Sequence, residues 1–207
     1  MSQLNLFSSS ADQPINLLPY EGCVLYYGPV MPANEADRFY ELLMQTVDWK
    51  NDEAIIFGKK IMTKRKAAWY GDHSFSYTYS KVTKTALPWN DPLLELKAML
   101  EKILGVTFNS CLLNLYHDGQ EGMAWHSDDE RELQKNGTIA SLSFGAVRKF
   151  AFKHKQTKET VALDLAHGSL LVMKDTTQTY WLHRLPPTTK VSAPRINLTF
   201  RIMNHPG

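Results

Sequence analysis

The chain has 207 residues, 43% of them hydrophobic and 21% charged, with a formal net charge of +2. Such a chain can bury a real core as one generous domain, and its composition excludes collagen-like, low-complexity and disulfide-scaffold classes. Cys23 and Cys111 form no CxxC pair, no apolar stretch approaches ~18 residues, and "MSQLNLFSSSADQP" has no basic segment leading into an apolar run, so a reducing cytosol is expected, with neither signal peptide nor membrane span.

In chain order, residues 1–19, with Ser8-Ser9-Ser10, Pro14 and Pro19, read as a flexible N-terminal segment, and 20–207 as a single domain. A first helix is expected from about Asn34 to Val47, with Ala36, Phe39, Leu42, Leu43 and Val47 on one stripe. Residues 50–84 carry eight lysines and arginines (Lys50, Lys59, Lys60, Lys64, Arg65, Lys66, Lys81, Lys84) against Asp52, Glu53 and Asp72. That concentration suits a surface facing phosphates, or equally a solvated basic face. The short strand-like pieces at 54–80 read as an appendage to the main sheet. A second helix starts at the capping Asn90, presents Leu93, Leu96, Leu100, Ile103 and Leu104, and stops at Gly105.

From residue 105 to 203 the apolar period changes to two. Strands are expected at 110–119, 138–145, 148–155, 159–165, 168–173 and 195–202. Many short strands after two helices predict an α+β, mainly β chain: a β-sandwich or jelly roll with the helices packed on one sheet.

The stretch "WHSDDE" (125–130) places His126 two residues before Asp128. In extended backbone both side chains lie on one side and can share an ion. Structural zinc wants four ligands, usually including cysteine, whereas two histidines and a carboxylate suit non-haem Fe(II) with open positions. The third ligand is one of His154, His167 and His183; His183, in "TYWLHRLPP", is favoured. In "RINLTFR", Arg195, Asn197, Thr199 and Arg201 share one strand face, either a solvated surface or the guanidinium forks a dicarboxylate needs. Asn114 and Tyr116 form a second polar pair on one face of "LLNLYH".

Taken together, N-x-Y, H-x-D, a distant His and R-x-N-x-T-x-R resemble the AlkB-type Fe(II)- and 2-oxoglutarate-dependent dioxygenases over roughly residues 20–203. "FGK" (57–59), "YGD" (70–72), "YTY" (77–79), "DDEREL" (128–133), "SLSFGAVRKFAFKHK" (141–155) and "LAHGSLLVM" (165–173) are similar to the branch repairing alkylated bases in double-stranded DNA. The resemblance implies a double-stranded β-helix (jelly-roll) core. It implies Fe(II) on His126, Asp128 and His183, and 2-oxoglutarate held by Asn114, Tyr116, Arg195, Thr199 and Arg201, with Asn197 close by. With O2 as oxidant, 2-oxoglutarate would go to succinate and CO2 while an alkyl carbon on a base nitrogen is hydroxylated; an N-methyl group then leaves as formaldehyde. Bases such as 1-methyladenine and 3-methylcytosine are the implied substrates.

A base inside a duplex must be flipped out to reach a buried metal. The resemblance implies Phe57, with Gly58, as a wedge in the gap left in the stack. Lys59 and Arg65, among the basic residues, would grip phosphates. Tyr77, Thr78 and Tyr79 would wall the flipped base. Asp129 and Glu130 would sit at the pocket rim, facing a cationic methylated base; otherwise one of them pairs with Arg131 or Arg148 to shape the loop. Competing readings are an oxygenase of the same fold acting on RNA, a non-enzymatic jelly-roll reader of modified nucleic acid, and a zinc hydrolase. The expected protein is a monomer, cytoplasmic in a bacterium or nuclear in a eukaryote.

Overall fold

The computed structural model describes residues 14–56, 59–79 and 82–204, with backbone alone at 52–56, 59–61, 76–79 and 82–84. The described elements run β1 (Cys23–Pro29), α1 (Ala33–Thr46), β2 (Lys50–Ile56), β3 (Lys59–Gly71), β4 (Ser76–Tyr79), β5 (Val82–Thr85), α2 (Asp91–Leu104), β6 (Ser110–Tyr116), β7 (Met123–His126), β8 (Ile139–Gly145), β9 (Arg148–His154), β10 (Thr160–Leu165), β11 (Ser169–Lys174), α3 (Thr177–Tyr180), β12 (Trp181–Leu185) and β13 (Arg195–Arg201). The strands form a seven-stranded sheet, β1-β11-β8-β13-β6-β3-β2, a four-stranded sheet, β10-β9-β12-β7, and the pair β4-β5. Every pairing between these strands is antiparallel, and the isolated bridge Tyr70↔Leu87 is parallel.

Period-two alternation builds three layers from this list. On β13, Ile196, Leu198 and Phe200 join Leu113 and Leu115 of β6 and Leu142 and Phe144 of β8 in a core shared with the helices. The opposite face of the large sheet meets the small one through Tyr116, Ile139, Leu171 and Met173 on one side and Phe150, Phe152, Trp181 and Leu185 on the other. Helix α2 begins as its sequence dictates. The Asn90 side chain accepts from the Leu93 N–H, and Gly105 closes the helix in the left-handed region at φ 65°. Its Leu93, Leu96 and Leu100 are fully buried, each worth about 2–3 kcal/mol relative to exposure. Ile103 departs from the expected stripe and is exposed.

Three other expectations change. Residues 59–71 are no appendage: β3 pairs with β6 from Lys66↔Leu115 to Gly71↔Ser110 and extends the large sheet, with β2 beyond it. Among the described strands, β4-β5 stands apart as its own two-stranded unit. Ordered packing starts before residue 20, because Leu18 is buried and the Asn16 carboxamide bridges Leu18 N–H, Val24 N–H and the Gly22 carbonyl. Strands β1, β7 and β12 were not expected from periodicity. β7 and β12 are four and five residues long, too short for an alternating pattern to declare itself.

Candidate active site

The small sheet brings two histidines face to face. β12 pairs with β7 so that His183 lies opposite His126, and their rings sit 4.3 Å apart. Asp128 lies two residues past the end of β7, buried. Its Oδ1 is 3.6 Å from His126 Nε2 and 3.7 Å from His183 Nε2, and one ligand atom from each residue fits within 4.8 Å of the others. His126 Nδ1 lies 2.9 Å from the Ala124 carbonyl, which can only accept, so Nδ1 donates there and Nε2 is the ring atom turned toward Asp128. Burial pushes the His183 pKa down to about 4, so its imidazole is neutral at pH 7. Burial, the largest influence, raises the Asp128 carboxyl, but the charges of Arg201, His183 and His126 together with the Arg201 hydrogen bond outweigh it and hold its pKa below the usual range. Two imidazoles and a carboxylate converging from one side fit a metal that keeps further positions open.

His154 and His167, the other candidates for third ligand, are elsewhere. His154 is buried rather than exposed, with Nε2 2.8 Å from the Glu21 carboxylate. His167 Nδ1 accepts from the Gly145 N–H.

The large sheet supplies the second half of the site. Its register sets Arg195 opposite Tyr116 and Asn197 opposite Asn114 on β6, with Ser143 and Ser141 of β8 across from Asn197 and Thr199. The four-residue face read from "RINLTFR" is thus real, and it is an inner face. Arg195 is fully buried. Its Nη2 donates to Ser143 Oγ (2.9 Å) and Asn197 Oδ1 (3.0 Å), and Asn197 Nδ2 donates to Thr199 Oγ1 (2.9 Å). None of these acceptors is charged, and Arg195 Nε has no partner among the described residues. Burial pushes its pKa down to about 10, so at neutral pH it is still a cation. A buried guanidinium held only by neutral groups calls for an anion. The cavity it lines also holds Asn114, Tyr116, Thr199, His126, Asp128 and His183. A carboxylate ligand with one end on Arg195 therefore shares a chamber with the metal-ligand set.

Arg201 behaves differently from its strand mate. Its Nη2 donates to Asp128 Oδ2 at 2.6 Å, so it grips the Asp128 carboxylate as well as bordering the cavity.

The substrate-side expectations divide. Phe57 and Gly58 lie outside the described residues, as do the side chains of Lys59, Tyr77, Thr78 and Tyr79; the backbone pairs Tyr77 with Lys84 and Thr78 with Thr83. Arg65 is buried, with Nη1 3.1 Å from Met123 Sδ. Register explains this, because Ala67 is opposite Asn114 and Arg65 lies on that same cavity-side face, whereas Lys66 falls opposite the helix-side Leu115. Asp129 is exposed, 3.8 Å from Lys155. Glu130 stands at the rim beside Arg201, bordering a hollow with Trp69, Leu112, Leu133 and Met203. Desolvation raises its carboxyl pKa, partly offset by Arg201. Neither acid pairs with Arg148, whose guanidinium donates to the carbonyls of Asp118, Gly119, Glu121 and Pro186.

Sequence reasoning missed Ser141 and Ser143, although two serines alternating with leucine and phenylalanine in "SLSF" were a readable sign of a polar inner row. It also missed Gln178 and Lys155, which hold the Asp128 turn; nothing in their local pattern marks them.

The model of the 2OG-Fe(II) oxygenase superfamily matches residues 22–201. The chain belongs to that superfamily and is of the AlkB type. It is 42% identical over 192 residues to DNA oxidative demethylase ALKBH2 of Bos taurus, covering 87% of this chain and 69% of that protein. The identity to ALKBH2 of Mus musculus is also 42%, covering 87% and 80%. Alpha-ketoglutarate-dependent dioxygenase alkB homolog 3 of Homo sapiens is 40% identical over 188 residues, covering 86% and 65%. A solved structure of OsALKBH1 superposes with a TM-score of 0.62 at 13% identity, covering 91% of this chain and 100% of that one, a likeness of fold. The jelly-roll expectation holds.

Proposed function

We propose that the protein is a DNA oxidative demethylase, removing N-alkyl groups from bases such as 1-methyladenine and 3-methylcytosine in double-stranded DNA. The observation that carries the reading is the shared chamber: a two-histidine, one-carboxylate set beside a buried arginine that has no anionic partner among the described residues. The superfamily implies Fe(II) and 2-oxoglutarate, and the relatives named as DNA demethylases support the substrate class.

His126, Asp128 and His183 would hold the iron, and Arg195, Asn114, Tyr116 and Thr199 the 2-oxoglutarate. Bound together, iron and 2-oxoglutarate with O2 supply the oxidising power to hydroxylate an otherwise inert N-alkyl carbon. The protein's own part is placement. Arg195 pairs with the far carboxylate of the keto acid. Asn114 and Thr199 offer neutral hydrogen bonds along the same inner row. Phe150 and Met173 line the chamber with apolar surface and limit water there. At the rim, Glu130 offers a carboxylate to a cationic methylated base, and Arg201 anchors that corner. Asp129, exposed and close to Lys155, is the weaker claimant to the base.

Phe57 as a duplex wedge, Lys59 on phosphate, and Tyr77, Thr78 and Tyr79 along the flipped base complete the proposal from the sequence. So do a monomeric state and a cytoplasmic location in a bacterial host; both described cysteines are free, in keeping with a reducing compartment.

The test is oxygen-dependent formaldehyde release from a duplex carrying one 1-methyladenine, with Fe(II) and 2-oxoglutarate. Asp128→Ala is expected to abolish it, and Phe57→Ala to lower it mainly on duplex rather than single strand. Succinate production without formaldehyde from either DNA substrate would keep the oxygenase and discard this substrate. Preference for the same lesion in RNA would move the assignment to RNA.

A further inference from the structure

Two side chains outside both the ligand triad and the anion row converge on the turn that carries Asp128. Residues 127–130 belong to no strand, so no backbone ladder fixes them. Instead the Asp128 N–H donates to Gln178 Oε1 at 2.9 Å. Lys155 Nζ donates to Ser127 Oγ at 3.1 Å and to the Gln178 carbonyl at 2.8 Å. Lys155 is itself anchored through its backbone, whose N–H donates to the Tyr180 carbonyl at 2.8 Å. Gln178 sits in α3, which runs directly into β12 and His183. The bracket thus joins the His126–Asp128 turn to the segment that delivers the third ligand.

Its geometric effect follows from the atoms left over. Gln178 fixes the Ser127–Asp128 peptide plane and with it the direction of the Asp128 side chain. Arg201 takes Oδ2. Oδ1 alone remains, and it faces both Nε2 atoms, at 3.6 and 3.7 Å.

We propose that Lys155 and Gln178 are positioning residues for the metal centre, holding Asp128 and His183 in ligand-ready relation before the ion arrives. The inference rests on the reading that His126, Asp128 and His183 bind a metal. It also gives Asp129 a role apart from the base: 3.8 Å from Lys155, it is a weak counter-ion for the bracket.

Outer-shell partners of metal ligands typically set affinity by ten- to a hundredfold. The experiment is a Co(II) titration of the metal-free protein, followed by visible absorption, beside the melting temperature of the metal-free form. Lys155→Met and Gln178→Leu are each expected to weaken Co(II) by about tenfold while the metal-free melting temperature stays near wild type. Lys155→Arg, which retains a donor, should recover most of the affinity. Ser127→Ala should weaken Co(II) less than Lys155→Met, and the double variant no more than Lys155→Met, because both act through one hydrogen bond. Ser127→Ala removes one hydroxyl and carries the test should a larger replacement fail to fold. Co(II) affinity within twofold of wild type in the bracket variants, or full additivity of Ser127→Ala and Lys155→Met, would overturn the proposal. With Asp128→Ala as control, loss of binding there beside unchanged bracket variants defeats this inference alone. No Co(II) binding by wild type defeats the metal reading and this inference together.

Discussion

The two halves of the site are built by opposite means. The anion half is a row on adjacent seven-residue strands, where ladder register alone puts Arg195, Asn197 and Thr199 beside Tyr116, Asn114, Ser143 and Ser141. The metal half uses the end of a four-residue strand, the middle of a five-residue strand and an irregular turn, tied down by side chains. Where register does the placing, one side chain can be exchanged without moving its neighbours. Where tethers do it, loss of one partner releases the others.

The largest expected effect lies in the tethered half. Asp128→Ala removes a ligand and leaves the Arg201 guanidinium without its carboxylate, so metal binding and formaldehyde release should both fall to background. Retention of tight metal binding would move the metal elsewhere. Next is Arg195→Met, expected to raise the 2-oxoglutarate KM by about a hundredfold, from loss of a charge-assisted contact worth about 2–3 kcal/mol. The same change removes a buried charge whose partners among the described residues are neutral, so the ligand-free melting temperature should hold or rise. A large fall would mean that Arg195 also holds the row together in the absence of the anion.

Smaller in reach is a pH effect on the metal-free protein. His183 titrates at about 4 in the fold, against about 6.5 when unfolded, so between those values the unfolded chain binds more protons. Stability should therefore fall as pH drops from about 6.5 toward 4, by up to about 3 kcal/mol. Denaturant titration at pH 7 and pH 4.5 reads it, and His183→Gln should flatten the slope over this range. The smallest contrast is at the rim: Glu130→Gln is expected to lower kcat/KM on 1-methyladenine about tenfold, and Asp129→Asn less than twofold. The reverse order would restore Asp129 as the base contact.

How much of this was legible tracks the same division. The alternating β13 and the N-x-Y of β6 showed their polar faces in sequence, because a seven-residue strand repeats its pattern several times. Asn90 and Gly105 marked α2 to the residue, since a cap is a local event. His126 and Asp128 were found by spacing, although Asp128 lies just past the end of β7. The face Arg65 occupies was not legible, because charge says nothing about which side of β3 a residue takes; that is decided by pairing with β6, more than forty positions away in sequence. Gln178 and Lys155 were invisible for the same reason. Their partners are 50 and 28 residues distant, and a single long-range hydrogen bond leaves no periodic trace.

Strand β13 carries one more consequence. It comes last in chain order yet lies between β8 and β6, in the middle of the large sheet. Until it arrives, β6 and β8 have open edges and the helix-side core lacks Ile196, Leu198 and Phe200. During synthesis the earlier strands must wait without closing that gap, a state exposed to mispairing. Closure is then a late, highly non-local event, which slows folding and makes the final seven-residue strand the keystone of assembly as well as the floor of the active chamber.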